Sequence, residues 1–229
     1  MMRTRIRQIL FPTIYLNPSP NRDSVSMDRL TPQEIAHRLA EAGRTGMQIP
    51  YPEFPKLLEI LPGQPRPAAV LIPLLRDNDA WQVLYTRRHV NLPEHSGQVA
   101  FPGGRSDPGD TSPEMTALRE AHEEIGLAPQ DVVVLGRLHD FVTITNYQVT
   151  PVVGVIPWPY SFHLAEEEVS RVFTIPLKWL AQPANFEERW RSLPAPYEPV
   201  PVIYYKEYDG ETLWGASARF TQAFLNCLR

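Results

Sequence analysis

Three glutamates crowded into one short segment are the residues of this chain best suited to chemistry. Glu120, Glu123 and Glu124 lie in a stretch whose apolar residues recur at helical spacing. On a helix, residues four apart share one side, so Glu120 and Glu124 can bring both carboxylates to a single ion. Oxygen ligands of this kind select hard cations such as Mg²⁺ or Mn²⁺. A solvated acidic face is the alternative explanation for three such residues taken alone.

The residues that flank the acidic cluster predict where its helix begins and ends. Ser112 or Thr111 is a suitable N-cap, and Glu114 completes a capping box counted from Thr111. Gly126 suits the left-handed residue that ends many helices. The apolar spacing predicts one buried face, made of Met115, Leu118, Ala121, His122 and Ile125.

The segment resembles the signature of the Nudix hydrolase family. Its fixed positions are matched by Gly104, Arg119, Glu120, Ala121, Glu123, Glu124, Gly126 and Leu127. The segment departs from the signature in two ways. Asp110 stands where the signature has Glu, and eight residues separate Asp110 from Arg119, one more than in the signature. The longer spacing resembles the coenzyme A diphosphatase branch of the family. So do the strings Phe-Pro-Gly-Gly at residues 101–104 and Thr-Ala-Leu-Arg-Glu at residues 116–120.

This resemblance implies an enzyme that uses Mg²⁺ or Mn²⁺ to hydrolyse the diphosphate bond of coenzyme A, giving 3′,5′-ADP and 4′-phosphopantetheine. The expected metal ligands are Glu120 and Glu124, and Glu123 either binds a second ion or acts as the base. Arg119 is expected to orient a glutamate rather than to touch substrate. A second candidate base is Glu168, which stands in an acidic loop and is followed by residues that resemble those of the same branch.

A second resemblance to the coenzyme A diphosphatases lies upstream, in residues 84–104. The substrate-binding residues that it implies are Arg88, Gly97, Phe101, Gly103 and Gly104, with Arg87 or Arg105 as candidates to replace the arginine that the pattern has at the position of Pro93. His89 and Pro93 depart from the pattern, which prefers Ser or Ala and Arg at these positions. Glycines also allow backbone to approach a phosphate closely. Without the resemblance, the two arginines would be solvated residues at the end of a strand, and the two adjacent glycines a turn.

Two other functions remain open at the level of sequence. The reaction can be the same with another nucleoside diphosphate derivative, such as ADP-ribose, NADH or a dinucleoside polyphosphate. The chain can also be a nucleotide-binding regulator that has the fold but no turnover, because a fold does not fix a function.

Composition sets broad limits. Of 229 residues, 43% are hydrophobic, enough for a sizeable core, and 25 are prolines, which predicts many stiff loops. A net charge of −4 argues against indiscriminate binding to nucleic acid or to anionic membranes. The single cysteine excludes an intramolecular disulfide. We therefore predict a cytoplasmic protein with a small-molecule partner, and leave a homodimer open.

The order of the predicted elements indicates an α/β fold. Strands are predicted at 69–75, 81–86, 132–138, 148–156, 172–175 and 200–205, the last in a closing hairpin with 212–214, and helices at 31–43, 177–181 and 216–228. This order predicts a mixed sheet between helices, in agreement with the α/β/α sandwich that the resemblance implies. The predicted domains are a disordered arm at 1–26, a helix with a proline-rich segment at 27–67, and a Nudix hydrolase domain at 68–229.

Overall fold

The computed structural model describes residues 27–45, 63–192 and 199–229. The predicted arm at 1–26 and most of the proline-rich segment lie outside these ranges. The elements in chain order are α1 (Pro32–Thr45), β1 (Arg66–Asp77), β2 (Ala80–Arg88), β3 (Val99–Ala100), β4 (Gly103–Arg105), α2 (Pro113–Ile125), β5 (Val133–Arg137), β6 (Phe141–Val142), β7 (Tyr147–Val155), β8 (Val169–Pro176), α3 (Leu177–Leu180), β9 (Phe186–Arg191), β10 (Val200–Tyr205) and α4 (Gly215–Cys227).

Strand β1 lies at the centre of a mixed sheet. It runs parallel to β7 along its length, while its other edge pairs antiparallel with β2 and β4. The hairpin from β1 to β2 turns at Asn78 and Asp79, whose positive φ angles are those that Asn and Asp tolerate. Strand β8 pairs with the far side of β2, and β5 with the far side of β7. One edge of β1 therefore carries both β4, which contains Gly103 and Gly104, and β2, which ends with Arg87 and Arg88.

Helices cover both faces of this sheet. Ile72 of β1 belongs to a buried cluster that includes Ile35 of α1 and Phe224 of α4. Its neighbour Leu71 points the other way and joins a cluster with Ala117 of α2. The predicted α/β/α sandwich with a mixed sheet is confirmed. No helix in the described part of the chain is both long and apolar enough to cross a membrane.

Local signals explain the N-terminal helix. Thr31 and Glu34 form the reciprocal capping box that their spacing predicts: the Thr31 N–H donates to Glu34 Oε2 at 2.8 Å, and the Glu34 N–H donates to Thr31 Oγ1 at 3.2 Å. Ile35, Leu39 and Ala42 are buried, as expected from their spacing.

The closing hairpin predicted for residues 200–214 is corrected by the structure. Strand β10 pairs along its whole length with β9, a strand that the sequence did not predict. Only isolated bridges join Tyr204 to Trp214 and Tyr208 to Glu211. Strand β9 reads Phe-Glu-Glu-Arg-Trp-Arg, and the two adjacent glutamates break the polar and apolar alternation by which a strand is recognised.

Candidate active site

Helix α2 is bounded by one side-chain cap and one glycine. The N-cap is Ser112, whose hydroxyl oxygen accepts the N–H of Met115 at 3.2 Å. Gly126 adopts the left-handed conformation with φ of 68° and ends the helix, as predicted. The capping box counted from Thr111 is wrong, because Thr111 lies outside the cap and its hydroxyl contacts the sulfur of Met115.

The buried face of α2 differs from the predicted one. Met115 and His122 are exposed, whereas Thr116 and Glu124 are buried together with Ala121. The Thr116 hydroxyl hydrogen-bonds Ser106 and Asp110, so this polar residue is satisfied inside. Apolar spacing alone therefore misplaced the face, because two polar side chains have partners within the fold.

Glu124 is the most buried of the three glutamates, with 4% of the residue exposed. Its Oε2 accepts the Gly103 N–H at 3.2 Å, and its Oε1 lies 3.9 Å from Nη1 of Arg88. Burial raises the pKa of the Glu124 carboxyl to about 8, the Gly103 and Arg88 contacts lower it, and the charges of Glu120 and Glu168 raise it further. A cation bound to this carboxylate would favour its charged form.

The raised pKa of Glu124 predicts how the stability of the metal-free protein depends on pH. The folded state holds a proton that the unfolded chain loses near its ordinary value of 4.5, so stability falls as pH rises from 4.5 toward 8. We expect the thermal midpoint in EDTA to fall across this window in wild type, and to fall less in Glu124→Gln. Parallel profiles for the two proteins would contradict the assignment.

The two glycines of β4 are required for close packing. A Cβ at Gly103 would lie 2.4 Å from the Ala69 carbonyl oxygen, inside the sheet. A Cβ at Gly104 would lie 2.5 Å from Oε2 of Glu120, so the absence of a side chain leaves room for that carboxylate. Their predicted approach to phosphates stays a prediction.

The contact at Gly104 predicts the effect of adding one methyl group. Gly104→Ala would displace the Glu120 carboxylate, and we expect Mn²⁺ affinity, measured by calorimetry, to fall about tenfold or more. Gly109→Ala is the matched control, because a Cβ there meets nothing within 4 Å. Equal Mn²⁺ affinity of the two variants would show that Glu120 does not depend on this space.

Arg119 connects two glutamates to an aspartate. Its Nη1 donates to Glu120 Oε1 at 3.0 Å and to Glu123 Oε2 at 2.9 Å. Its Nε and Nη2 donate to the two carboxylate oxygens of Asp110 at 3.2 and 2.9 Å, and Nη2 also reaches the Arg105 carbonyl. The arginine therefore contacts two of the three glutamates, and its expected role of orienting a glutamate stays a prediction.

Asp110 is the residue whose place sequence reasoning missed. Its side chain is 3% exposed, and the hydrogen bonds from Arg119 hold the pKa of its carboxyl at about 2, against the opposing effect of burial. It stands where the signature has Glu, but it faces the arginine and not the other carboxylates. The sequence signal for this contact was the short separation of nine positions between Asp110 and Arg119, which the loop before α2 can bridge.

The loop before β8 brings Glu168 toward α2. The backbone N–H groups of His163 and Ala165 donate to the carbonyls of Ile125 and Glu124, at 3.0 and 2.9 Å, so the loop is fixed to the end of the helix. The charge of Glu168 contributes to the raised pKa values of Glu120 and Glu124. Glu168, which lies more than forty residues further along the chain, therefore adds a repulsive charge to both of these glutamates.

The two arginines at the end of β2 point in opposite directions. Arg88 faces Glu124, and its buried Nε has no hydrogen-bond partner in the described part of the chain. Arg87 lies on the other face, where its Nη1 pairs with the buried Glu211 at 3.2 Å. Strand alternation separates the two residues, so of the two arginines only Arg88 lies beside the acidic helix, and their role in substrate binding stays a prediction.

Phe101 is buried in the core, whereas Gly97 lies in a surface loop. The Phe101 ring is 3% exposed and stacks on Tyr85 with centroids 4.7 Å apart, so the ring belongs to the core. Gly97 has φ of 64° and shapes the loop between β2 and β3, where a side chain would strain the backbone.

The acidic residues fit a hard cation by chemistry and burial, although they hold protein partners. Glu120 and Glu123 turn toward Arg119, and Glu124 accepts a backbone N–H. Within the described residues, no three His, Cys, Asp or Glu side chains converge as a ready-made metal site. An ion would therefore take the place of some of these contacts. Burial raises the pKa of Glu120 and Glu124, as expected for a site that a cation would neutralise.

The site therefore lies on a mixed sheet between helices, with the glycines of β4 packed against the acidic helix α2. A NUDIX domain family profile matches residues 65–201. The chain therefore belongs to the NUDIX family, and it is a Nudix hydrolase.

Curated relatives agree with this family. The chain is 51% identical over 149 residues to the uncharacterized Nudix hydrolase NudL of Escherichia fergusonii, which covers 65% of this chain and 70% of the relative. NudL of Escherichia coli K12 is 49% identical over 149 residues, again 65% of this chain and 70% of the relative. Among solved structures, a MutT/nudix family protein from Enterococcus faecalis covers 85% of this chain and 72% of its own, with 16% identity and a TM-score of 0.46.

Proposed function

We propose that this Nudix hydrolase cleaves the diphosphate bond of coenzyme A, or of a coenzyme A derivative, to 3′,5′-ADP and 4′-phosphopantetheine. The observation that supports a metal-dependent reaction most is the buried Glu124 carboxylate, held against the Gly103 N–H and beside Arg88. Support for coenzyme A comes from the strings at residues 84–104 and 116–120 that resemble the diphosphatase branch.

Each acidic residue has a distinct proposed role. Glu120 and Glu124 would hold Mg²⁺ or Mn²⁺, with Glu123 as a further ligand. Such an ion neutralises the charge of the diphosphate and activates water when it is bound. Arg119 keeps Glu120 and Glu123 in position through its two donors on Nη1.

The proton acceptor is proposed to be Glu168, with Glu123 as the second candidate. Glu168 is exposed and stands at the end of a loop that is fixed to α2, so it can reach solvent and the site together. A general base needs access to the attacking water before its pKa matters. Glu123 is held by Arg119, which favours a carboxylate that stays in place.

Arg88 is the proposed contact for substrate phosphate. Its guanidinium lies beside Glu124 and has a buried donor without a partner among the described residues, which a phosphate oxygen can satisfy. Gly103, Gly104 and Gly97 are proposed to let the loops pass close to the ligand. Arg87 and the ring of Phe101 are not included, because one pairs with Glu211 and the other is buried.

Product analysis tests the substrate directly. Coenzyme A, ADP-ribose and NADH are incubated separately with Mg²⁺ or Mn²⁺, and the products are identified by mass spectrometry for wild type and Glu124→Gln. We expect 3′,5′-ADP from coenzyme A in wild type alone. Turnover of ADP-ribose or NADH would keep the site and overturn the coenzyme A proposal. No metal-dependent turnover of any of them would favour a nucleotide-binding regulator.

A further inference from the structure

The ribbon of β9 and β10 lies on the surface of the core, with Ile203 of β10 buried in the main hydrophobic cluster and β9 on the outside. Phe186 and Tyr205 at its base pack against the main hydrophobic cluster. The next five residues of β9 are all exposed, and Trp190 is 74% exposed. In the ranges that the structure describes, β9 pairs with β10 only, so its outer edge carries backbone groups without a strand partner.

Such an edge favours pairing with another strand. An exposed edge strand can template the addition of a strand from another chain. A tryptophan that leaves three quarters of its surface in water adds an apolar contact to this edge.

The order of charges along β9 indicates what the partner is. The strand begins with Glu187 and Glu188 and ends with Arg189 and Arg191, so its charge reverses from one end to the other. An antiparallel copy of the same strand presents the opposite order. We propose that β9 pairs antiparallel with β9 of a second copy of this chain, centred on Arg189, and so forms a symmetric dimer with a continuous four-stranded sheet.

Centring on Arg189 follows from the residues that this register brings together. It places each Glu187 opposite Arg191 of the other copy, twice by symmetry. Trp190 then lies diagonally across from Trp190 of the second copy, at a separation that aromatic side chains can reach. The register centred on Arg189 places one pair of like charges, Arg189 and Arg189, opposite each other. A register centred on Trp190 would instead place Arg189 opposite Arg191 twice and leave no glutamate opposite an arginine, which is less favourable.

The two central arginines are already neutralised within their own copies. Arg189 Nε donates to Glu187 at 2.6 Å, and its guanidinium lies over the Tyr204 ring at 4.7 Å from the centroid. Glu188 and Trp190 occupy the other face of the strand, away from this pair. A contact of one short strand per copy is small beside a standard interface, so the dimer is weak and depends on concentration.

Charge exchange tests the partner and the register together. The mass of the full chain is measured by sedimentation equilibrium over a range of concentrations. Wild type should show a monomer–dimer equilibrium, and Glu187→Arg and Arg191→Glu should each raise the dimer Kd about tenfold. Mixing these two variants should restore a heterodimer, and the double variant should restore a homodimer, because each recreates two opposite-charge pairs.

Controls separate this contact from general effects of charge. Glu114→Arg alters an exposed ion pair with Arg137 on another surface and should leave the equilibrium unchanged. Trp190→Ser should weaken the dimer and keep the thermal midpoint of the monomer. A wild type that is monomeric at every concentration would overturn the proposal, as would a dimer that ignores the charge changes or one that mixing does not restore. Protection of Trp190 from acrylamide in a monomer would show that this chain covers its own edge.

Discussion

Glu124→Gln should lower kcat by about 10²- to 10³-fold, the size of effect seen when one preorganised electrostatic group is removed from an active site. Glutamine has the shape of glutamate, and its amide oxygen can still accept the Gly103 N–H, so the backbone contact at 3.2 Å is retained. What is lost is the negative charge. We expect steady-state turnover of the substrate found by product analysis to fall without loss of folded protein.

The stability of this variant should move in the opposite direction from its activity. A buried carboxylate near two others is destabilising while it is charged, so the neutral side chain should raise the thermal midpoint of the metal-free protein near pH 8. Glu114→Gln on the same helix is the control, since Glu114 pairs with the exposed Arg137. Full turnover in Glu124→Gln, with the midpoint unchanged, would remove Glu124 from the site.

Arg119→Lys should be the second most damaging change, with a fall in kcat on the order of 10²-fold. Arg119 uses its planar guanidinium to hold Asp110 through Nε and Nη2, and Glu120 and Glu123 through Nη1. A lysine ammonium keeps the charge but cannot span these positions in one plane. The KM should change little, because the arginine positions glutamates and does not contact substrate.

A double-mutant cycle with Asp110→Asn tests this positioning role. Because Asp110 and Arg119 act as one unit, the double variant should lose about as much kcat as the worse single variant. Additive losses would contradict a shared role. Arg137→Lys, at an exposed ion pair, is the control for arginine replacement as such.

The acidic helix was predictable because all of its signals are local. The N-cap at Ser112, the end at Gly126 and the four-residue offset of Glu120 and Glu124 lie within fifteen residues, where backbone geometry follows from residue type. The capping box of α1 is of the same kind. The resemblance of the α2 segment to the Nudix signature was also visible in the sequence, because the signature is a set of short, fixed offsets.

Other features required knowledge of which strands meet. Arg87 and Arg88 are adjacent in sequence, and only the pairing of β2 with β8 and the packing of Glu211 show that they serve opposite faces. The Phe101 ring was expected at the substrate and lies in the core, because Tyr85 stacks on it from β2. Strand β9 was missed because its charged residues do not alternate with apolar ones, and only the structure shows that it pairs with β10.

By itself, the sequence determined the family, the extent of the acidic helix and the order of most strands, and it supplied the carboxylates that are proposed to build a metal site. Only the tertiary structure decided that Glu124 is buried, that Asp110 clamps Arg119 and that Glu168 is brought near the helix. The reason is physical. Caps and spacing depend on a few neighbouring residues, whereas burial and charge–charge effects depend on groups that folding brings together from distant positions.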